Sequence, residues 1–140
     1  MFDDVITLFN RRGDAWWPTV IKGVHLNTDR RFIMAQYGYQ CKDVALLFLP
    51  YARPIVVADK PYLEPKEWLK ADKPGSSVTL AGGEKFDFFL DGVWAGTGLV
   101  SDTDFPRGFY DHMNRTYDGV YAITSVFRFK AIPYFAVLAR

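Results

Sequence analysis

Alternation between apolar and polar residues, the pattern of a β-strand, is strongest near the C-terminal end of this chain. Between residues 121 and 130 the even positions turn cationic at Arg128 and Lys130. The odd positions are nearly all apolar: Tyr121, Ile123, Ser125, Phe127 and Phe129. A period of two places these two sets on opposite faces of a strand. With a second apolar run over residues 133–138, the pattern predicts a closing β-hairpin whose odd-numbered residues form its apolar face.

Upstream, the same criterion predicts further strands of the sheet. The run over residues 44–49 is unbroken and apolar, which is typical of a strand buried on both faces. A charged cluster at residues 10–14 predicts the turn that ends the first strand. The remaining predicted strands cover residues 5–9, 16–26, 55–58, 78–80 and 84–90.

Two short helices interrupt this β-pattern. The first is predicted over residues 63–72 with Pro65 in its first turn, and it docks Trp68 and Leu69 on the sheet. The second is predicted to be capped by Asp104. Its apolar residues recur at helical spacing: Phe109, Tyr110, Met113 and Tyr117.

Residues 27–43 are less regular, and we interpret them as a strand plus turn or as one long excursion. Connections of that length are often functional. The whole pattern predicts a mainly β fold, a small β-barrel or sandwich with one or two short helices, in a single domain over residues 1–140. An aromatic content of 17% agrees with this, because aromatic side chains pack well on pleated sheets.

Composition narrows the expected partners and the compartment. A net charge of +1 gives no argument for binding to nucleic acid or to a membrane surface. The single Cys41 excludes an intrachain disulfide and suits a reducing compartment. Asp3 and Asp4 stand where a signal peptide is basic, and no stretch approaches the ~18 apolar residues of a membrane span. We therefore expect a chain of cytosolic origin without a membrane partner.

Catalytic and metal-binding patterns are sparse. His25 and His112 lie far apart and neither has a partner at metal-ligand spacing, so we expect no metal site and no cofactor. Asp87 and Asp91 resemble a carboxylate pair around one strand end, and a hydrolase that uses them is one alternative, although most such pairs are solvated charges. The sequence has neither the phosphate-binding glycine loop nor the GxSxG nucleophile motif. We expect a protein that is not an enzyme.

Two arginine pairs, Arg11–Arg12 and Arg30–Arg31, lie beside aromatic residues. Basic and aromatic side chains that share a groove bind single-stranded nucleic acid. A ligand- or single-strand-binding β-barrel is therefore an alternative of another class, although solvated loops account for both pairs in a nearly neutral chain.

An ordered set of short phrases carries further information. The chain contains, in this order, DVITLFN, TVIKGVHL, PYLEPKEW, VTLAGGEKFDFFLDG and VYAITSVFRFK. This succession resembles a family of small proteins of tailed phages and prophages that are encoded among the head–tail joining genes. The family is similar to head-completion proteins of the stopper, or head-closure, class. The matches cover most of the chain apart from residues 27–58 and 93–118.

The resemblance implies a structural virion protein with a small head-closure-like β-barrel, made in the host cytoplasm and located in the phage neck. It implies a homo-oligomeric ring, six- or twelve-fold, between the portal-bound adaptor and the tail. Such a ring retains packaged DNA through non-specific contacts and docks the tail. A tail terminator or a minor tail protein is the near alternative.

The resemblance also implies a contact loop. In stoppers, a long excursion between the second and third strands reaches into the channel as a plug, and by order it corresponds to residues 27–43 here. Pro133, Tyr134 and Phe135 stand where the family usually carries a histidine and polar residues, so we expect a neighbouring subunit to cover the outer face of the last strand. The residues expected to contact the channel or a partner are Arg30, Arg31, Tyr37, Tyr39 and Gln40.

Overall fold

The computed structural model describes residues 2–52, 55–96 and 98–140, which form mainly β-structure as the alternation predicts. The strands are β1 (Asp4–Arg12), β2 (Ala15–Asn27), β3 (Ala45–Pro50), β4 (Val56–Val57), β5 (Lys60–Pro61), β6 (Phe88–Asp91), β7 (Val100–Ser101), β8 (Val120–Phe129) and β9 (Tyr134–Ala139). The helices are α1 (Arg30–Tyr37), α2 (Pro65–Trp68) and α3 (Phe109–Thr116), and short 3-10 turns span Pro74–Ser76 and Asp102–Asp104.

Six antiparallel strands close into a barrel in the order β1-β6-β8-β9-β3-β2, because β1 pairs with β2 as well as with β6. Each barrel strand therefore has a neighbour on both sides, which removes the open sheet edges that invite aggregation. β7 extends the sheet outside the barrel by pairing with the start of β2 at Ala15 and Trp16. Of the two predicted architectures, the barrel is the one that forms.

The β1–β2 hairpin corrects the predicted turn at residues 10–14. β1 continues to Arg12, and the chain reverses at Gly13 and Asp14. Gly13 has a φ of +62°, which suits the first central position of a two-residue hairpin turn. Asn10 remains in the strand because its buried amide donates hydrogen bonds to the Asp87 carboxylate and to a backbone carbonyl.

Apolar side chains fill the barrel interior. Alternate residues of each strand point inward, as the period of two requires. The strand residues of this core are Ile6, Leu8, Ile21, Val24, Ala45, Leu47, Leu49, Phe89, Ile123, Phe135, Val137 and Ala139. β3 confirms the prediction of a strand buried on both faces, because Leu46 on its other face packs beneath α1.

α3 covers one outer face of the barrel. Phe109 and Met113 of this helix pack on Phe9, Trp16 and Phe88. The helix forms where the apolar spacing predicts it, but its predicted cap is wrong. Asp102 Oδ1, rather than Asp104, accepts the Phe109 backbone N–H at 2.9 Å. Gly108, with a φ of +89°, leads the chain into the helix.

Residues 27–43 form neither a strand plus turn nor an extended excursion. They contain α1, whose N-cap Asp29 accepts the Arg31 backbone N–H. Ile33 is fully buried against the outer residues of β3 and β9. The helix offers only one fully buried residue over two turns, so its sequence carries little of the 3.6-residue periodicity by which helices are recognised.

A bulge in β8 overturns the predicted single apolar face of the closing hairpin. Ile123 pairs with Ala139 and Ser125 pairs with Leu138, so one extra residue, Thr124, is left unpaired. The side chains after the bulge change sides. Val126 faces the interior, whereas Phe127 lies opposite Ala136 on the outside.

One end of the barrel is crossed by residues 60–87, which contain α2. This helix is shorter than predicted, and Trp68 is its buried residue. Residues 78–80 are buried but do not form the predicted strand, since Val78 makes one parallel bridge to Tyr62. The strand predicted over residues 84–90 begins only at Phe88. The strand predicted over residues 55–58 is short and pairs with β5.

Among the described residues, no helix is long and apolar enough to cross a membrane.

Candidate interaction surface

A band of aromatic side chains crosses the outer face of four neighbouring strands, β8, β9, β3 and β2. We call it the aromatic band. Register explains its continuity, because Phe129 lies opposite Tyr134 and His25 lies opposite Phe48, and directly opposed residues point to the same side of a sheet. The band consists of Phe2, His25, Tyr37, Phe48, Phe127, Phe129 and Tyr134.

Five rings of the band form a chain of contacts from Phe2 to Phe129, and Tyr37 and Phe127 form a separate stacked pair. Phe129 stacks on Tyr134 with ring centroids 4.8 Å apart, and Phe48 meets Tyr134 edge-on at 5.7 Å. His25 stacks on Phe48 at 6.0 Å. These distances lie within the ~4.5–7 Å of favourable aromatic pairs. These contacts between rings therefore fix the orientation of each ring.

Several rings of the band remain exposed to solvent. Phe2 and Phe129 are each 44% exposed and Phe127 is 42% exposed. Nearby, Tyr39 is 90% exposed and Ile132 is 73% exposed. Apolar side chains clustered in this way mark interaction sites more often than isolated ones do. The arrangement can bind an apolar partner surface through aromatic anchors.

The five residues that the resemblance assigns to a contact loop lie on α1 and directly after it. Arg30 donates from its guanidinium to the backbone oxygen of Asp43, and Tyr37 stacks on Phe127 at 5.8 Å. Burial raises the pKa of Tyr37, with Tyr134 and Cys41 adding to the effect, so its hydroxyl stays neutral. Arg31, Tyr39 and Gln40 are exposed. Thus Tyr37 joins the band, Arg30 is held by the barrel, and the other three face solvent.

Asp43 fixes the segment that carries α1. Its buried carboxylate accepts hydrogen bonds from Thr124 Oγ1 at 2.9 Å and from Arg140 Nε at 3.2 Å. The Cys41 thiol lies 3.5 Å from its other oxygen. The bulge residue of β8, the C-terminal residue and the loop after α1 therefore meet at one side chain.

Sequence reasoning did not identify Phe2, His25 or Phe48 as members of a surface. Phe48 belongs to an unbroken apolar run, which hides the side of the strand that each residue faces. The alternation predicted Phe127 and Phe129 on the same face as Ile123, but the bulge at Thr124 places them on the opposite, outer face. Cross-strand register, which a single sequence does not specify, joins these residues.

Asp87 and Asp91 do not form a carboxylate pair. They lie at opposite ends of β6, four residues apart along the chain, which is about 13 Å in an extended strand. Asp87 is 1% exposed and contacts the β1 segment near Asn10, whereas Asp91 is exposed and pairs with Ile6. The hydrolase alternative therefore loses the geometry on which it depends. The described residues also contain no group of three or more His, Cys, Asp or Glu side chains placed to hold a metal ion.

The fold and the surface define a small closed β-barrel with two outer helices and a partly exposed aromatic band. The chain belongs to a family of unknown function, DUF6751, whose model matches residues 1–139. Neither a curated protein nor a solved structure matches the chain.

Proposed function

We propose that this protein is a structural subunit of the phage neck, a head–tail connector of the stopper, or head-closure, type. In this proposal, copies form a six- or twelve-fold ring between the portal-bound adaptor and the tail, retain packaged DNA and dock the tail. The ordered phrases of the sequence suggest the class. The observation that carries the proposal is the aromatic band, which gives a closed barrel a surface suited to a protein partner.

A closed barrel must associate through side chains. The six barrel strands are already paired on both sides, so partner subunits cannot add strands to the barrel itself as they do to open sheets, and the open edge of β7 outside it is only two residues long. Half-exposed aromatic rings provide large contact areas with few rotatable bonds, which suits them to anchor an interface. In a ring, the band of one copy meets a different surface of the next, because head-to-tail interfaces close into rings.

The contact loop of the proposal is smaller than the resemblance implies. α1 is packed on the barrel, so the expected contact residues that remain exposed are Tyr39 and Gln40 after the helix and Arg31 within it. We propose that these three contact the adaptor, the tail or the packaged DNA. Contacts to DNA would be made by the Arg31 guanidinium to phosphates, which requires no base recognition.

The experiment that tests this proposal is native mass measurement of the purified chain, alone and mixed with tailless heads or with isolated tails from the phage. Stoichiometric binding to heads is the expected result. Binding to tails but not to heads would move the protein to the tail terminator or minor tail class. A chain that stays monomeric and binds neither would overturn the proposal.

A ligand- or single-strand-binding barrel is the second candidate, favoured by the exposure of Phe32 and Tyr39, which lie close to the exposed Arg31 along the chain. Two observations reduce its support. Phe129 and Tyr134 already cover one face of each other, and Arg30 is engaged by the Asp43 backbone. The test is fluorescence anisotropy of a labelled oligothymidine in low and high salt. Salt-sensitive binding that disappears in the Arg30→Ala/Arg31→Ala variant would favour this candidate, and absence of binding would reject it.

A further inference from the structure

A cavity of about 330 Å³ opens beside α2, and none of the residues that line it belongs to the aromatic band. Its volume lies in the ~300–1,000 Å³ range of small-molecule pockets. One wall is apolar and consists of Pro65, Trp68 and Leu69 of the α2 segment. Leu69 is 51% exposed, so the apolar wall continues out to the rim. The other residues that line the cavity are Arg11, Gly13, Asp14, Thr79, Ala81, Lys85 and Asp87.

Asp87 provides an acidic group in this cavity. Its Oδ1 accepts the Arg11 backbone N–H at 2.9 Å. Its Oδ2 accepts the Asn10 amide at 2.9 Å and the Ala81 backbone N–H at 3.0 Å. A carboxylate has about four acceptor positions, so one remains, on Oδ1. All three donors are uncharged groups. They donate hydrogen bonds to the ionised carboxylate but do not neutralise its negative charge.

No described lysine or arginine forms an ion pair with Asp87. The Arg11 guanidinium is turned away, since it lies over the Trp16 ring and 3.5 Å from Asp102. Lys85 is exposed at the cavity rim, where Asp14 supplies a second carboxylate. Buried charges in proteins are normally paired, because an unpaired carboxylate loses its hydration without compensation. Burial raises the pKa of Asp87 to about 7, although its three hydrogen bonds and the charge of Arg11 act in the opposite direction.

We propose that this cavity binds a primary alkylammonium group, whose nitrogen contacts Asp87 and whose methylene chain lies along Trp68 and Leu69. An ammonium is a compact charge that suits a single free acceptor position, whereas the planar fork of a guanidinium requires two. A lysine side chain of a partner protein or a free aliphatic amine supplies this chemistry. The inference does not depend on the neck proposal, because it concerns a different part of the molecule.

The experiment is an amide NMR titration of the whole chain with n-pentylammonium chloride at pH 8, where Asp87 is mainly ionised. The expected result is a saturable shift of the Arg11 and Ala81 amide signals, because both N–H groups donate to the carboxylate. n-Pentanol, which has the same chain without the charge, should bind at least about tenfold more weakly, since hydrogen bonds to charged groups contribute ~1.5–3 kcal/mol. Equal binding of the two probes would overturn the proposal.

Two sets of variants locate the site. Asp87→Asn should abolish the shifts, and Asp91→Asn, at the opposite end of β6, should retain them. Leu69→Lys offers a test that leaves Asp87 intact. The ammonium of the introduced lysine at the rim should compete with the probe for Asp87 and lower the affinity for the probe about tenfold. Leu69→Gln is its matched control, because it removes the same apolar contact without adding a charge, and the probe should bind Leu69→Lys about tenfold more weakly than it binds Leu69→Gln. Unchanged probe affinity in Leu69→Lys and in Asp87→Asn would overturn the assignment.

The source of the ammonium is distinguished by two further probes, N-acetyl-lysine-N-methylamide and cadaverine. Binding of the blocked lysine supports a partner side chain, and binding of cadaverine alone supports a free amine. Binding of neither, together with no response to n-pentylammonium, would overturn the proposal.

Discussion

Three donors from two segments of the chain converge on the carboxylate of Asp87. The side chain of Asn10 and the backbone of Arg11 approach from β1, and Ala81 approaches from the segment that crosses the barrel end. This polar group is almost completely buried, so its protonation state matters for the stability of the fold.

We expect Asp87 to make the protein less stable as the pH rises from about 4 to 7. Burial raises its folded-state pKa from 3.8 to about 7, so in this window the folded chain holds a proton that the unfolded chain has released. Each pH unit should then lower the free energy of unfolding by up to about 1.4 kcal/mol. Urea unfolding at pH 5, 6, 7 and 8 measures the slope. Subtracting the Asp87→Asn curve isolates the Asp87 contribution.

Asp91→Asn serves as the control for this slope, since Asp91 is exposed and its pKa is raised less markedly by burial and by Asp4. We expect this variant to retain most of the wild-type pH dependence. A wild-type profile that remains parallel to that of Asp87→Asn would show that Asp87 is not protonated in the folded state.

Gly82 is required by close packing rather than by backbone conformation. A Cβ at this position would lie 2.6 Å from the backbone oxygen of Thr124, a contact that only a backbone shift can relieve. Gly82→Ala should therefore reduce the free energy of unfolding by about 1–3 kcal/mol. In Gly83→Ala the Cβ meets open space, and only the φ of +91° is unfavourable, so a loss of about 1 kcal/mol is expected. Equal losses in urea unfolding would contradict the steric argument.

At the scale of elements, α1 depends on Asp43 for its position on the barrel. We expect Asp43→Ala to lower the free energy of unfolding by about 2–3 kcal/mol, because the hydrogen bonds that Thr124 and Arg140 donate to its buried, charged carboxylate are lost. Amide hydrogen exchange should increase in α1 more than in β1. Arg140→Gln should cost less than about 1 kcal/mol, since the Arg140 side chain is 58% exposed and its ion pair is partly solvated. Unchanged exchange in α1 would mean that Ile33 alone holds the helix.

Elements also show how far sequence reasoning reached. Period-two alternation and the apolar run of β3 correctly predicted strands. The helical spacing of apolar residues correctly predicted α3. α1 was missed because Ile33 is its only fully buried residue. The face of Phe127 was wrong because the bulge at Thr124 inserts one residue, which no alternation rule locates. Local patterns determine elements, whereas bulges depend on tertiary partners such as the Asp43 carboxylate that binds Thr124.

At the scale of the whole molecule, the predicted β-barrel was confirmed, but the candidate surface was not predictable. The aromatic band combines side chains from β2, β3, β8, β9 and α1 with Phe2, which precedes β1, and the proximity of the strand residues follows from strand order around the barrel. Of the five expected contact residues, Tyr37 belongs to the band and Arg30 donates a hydrogen bond to the Asp43 backbone oxygen. The other three are exposed to solvent. The surface therefore forms only when the barrel closes, so it must be tested by substitutions that leave the closed barrel folded.

Phe127→Ser/Phe129→Ser is such a substitution, because both rings are outside the barrel core and partly exposed. If the neck proposal holds, this variant should co-sediment with tailless heads at least about tenfold less than the wild type, since interface aromatics commonly contribute ~2 kcal/mol or more. Its melting temperature should fall by only a few degrees, because a loss of about 1 kcal/mol shifts it by that much in a chain of this size.

Val93→Ser/Leu99→Ser is the matched control, with side chains 60% and 57% exposed that lie outside the aromatic band. It removes a similar number of exposed apolar residues and should bind heads as the wild type does. Equal loss in both variants would indicate non-specific hydrophobic adhesion. Equal retention would place the binding surface elsewhere, and Tyr39→Ser/Gln40→Ala would then test the exposed residues that follow α1. Loss of head binding in the band variant alone would support the proposal that the aromatic band on the outer face of the barrel forms the interfaces of the ring.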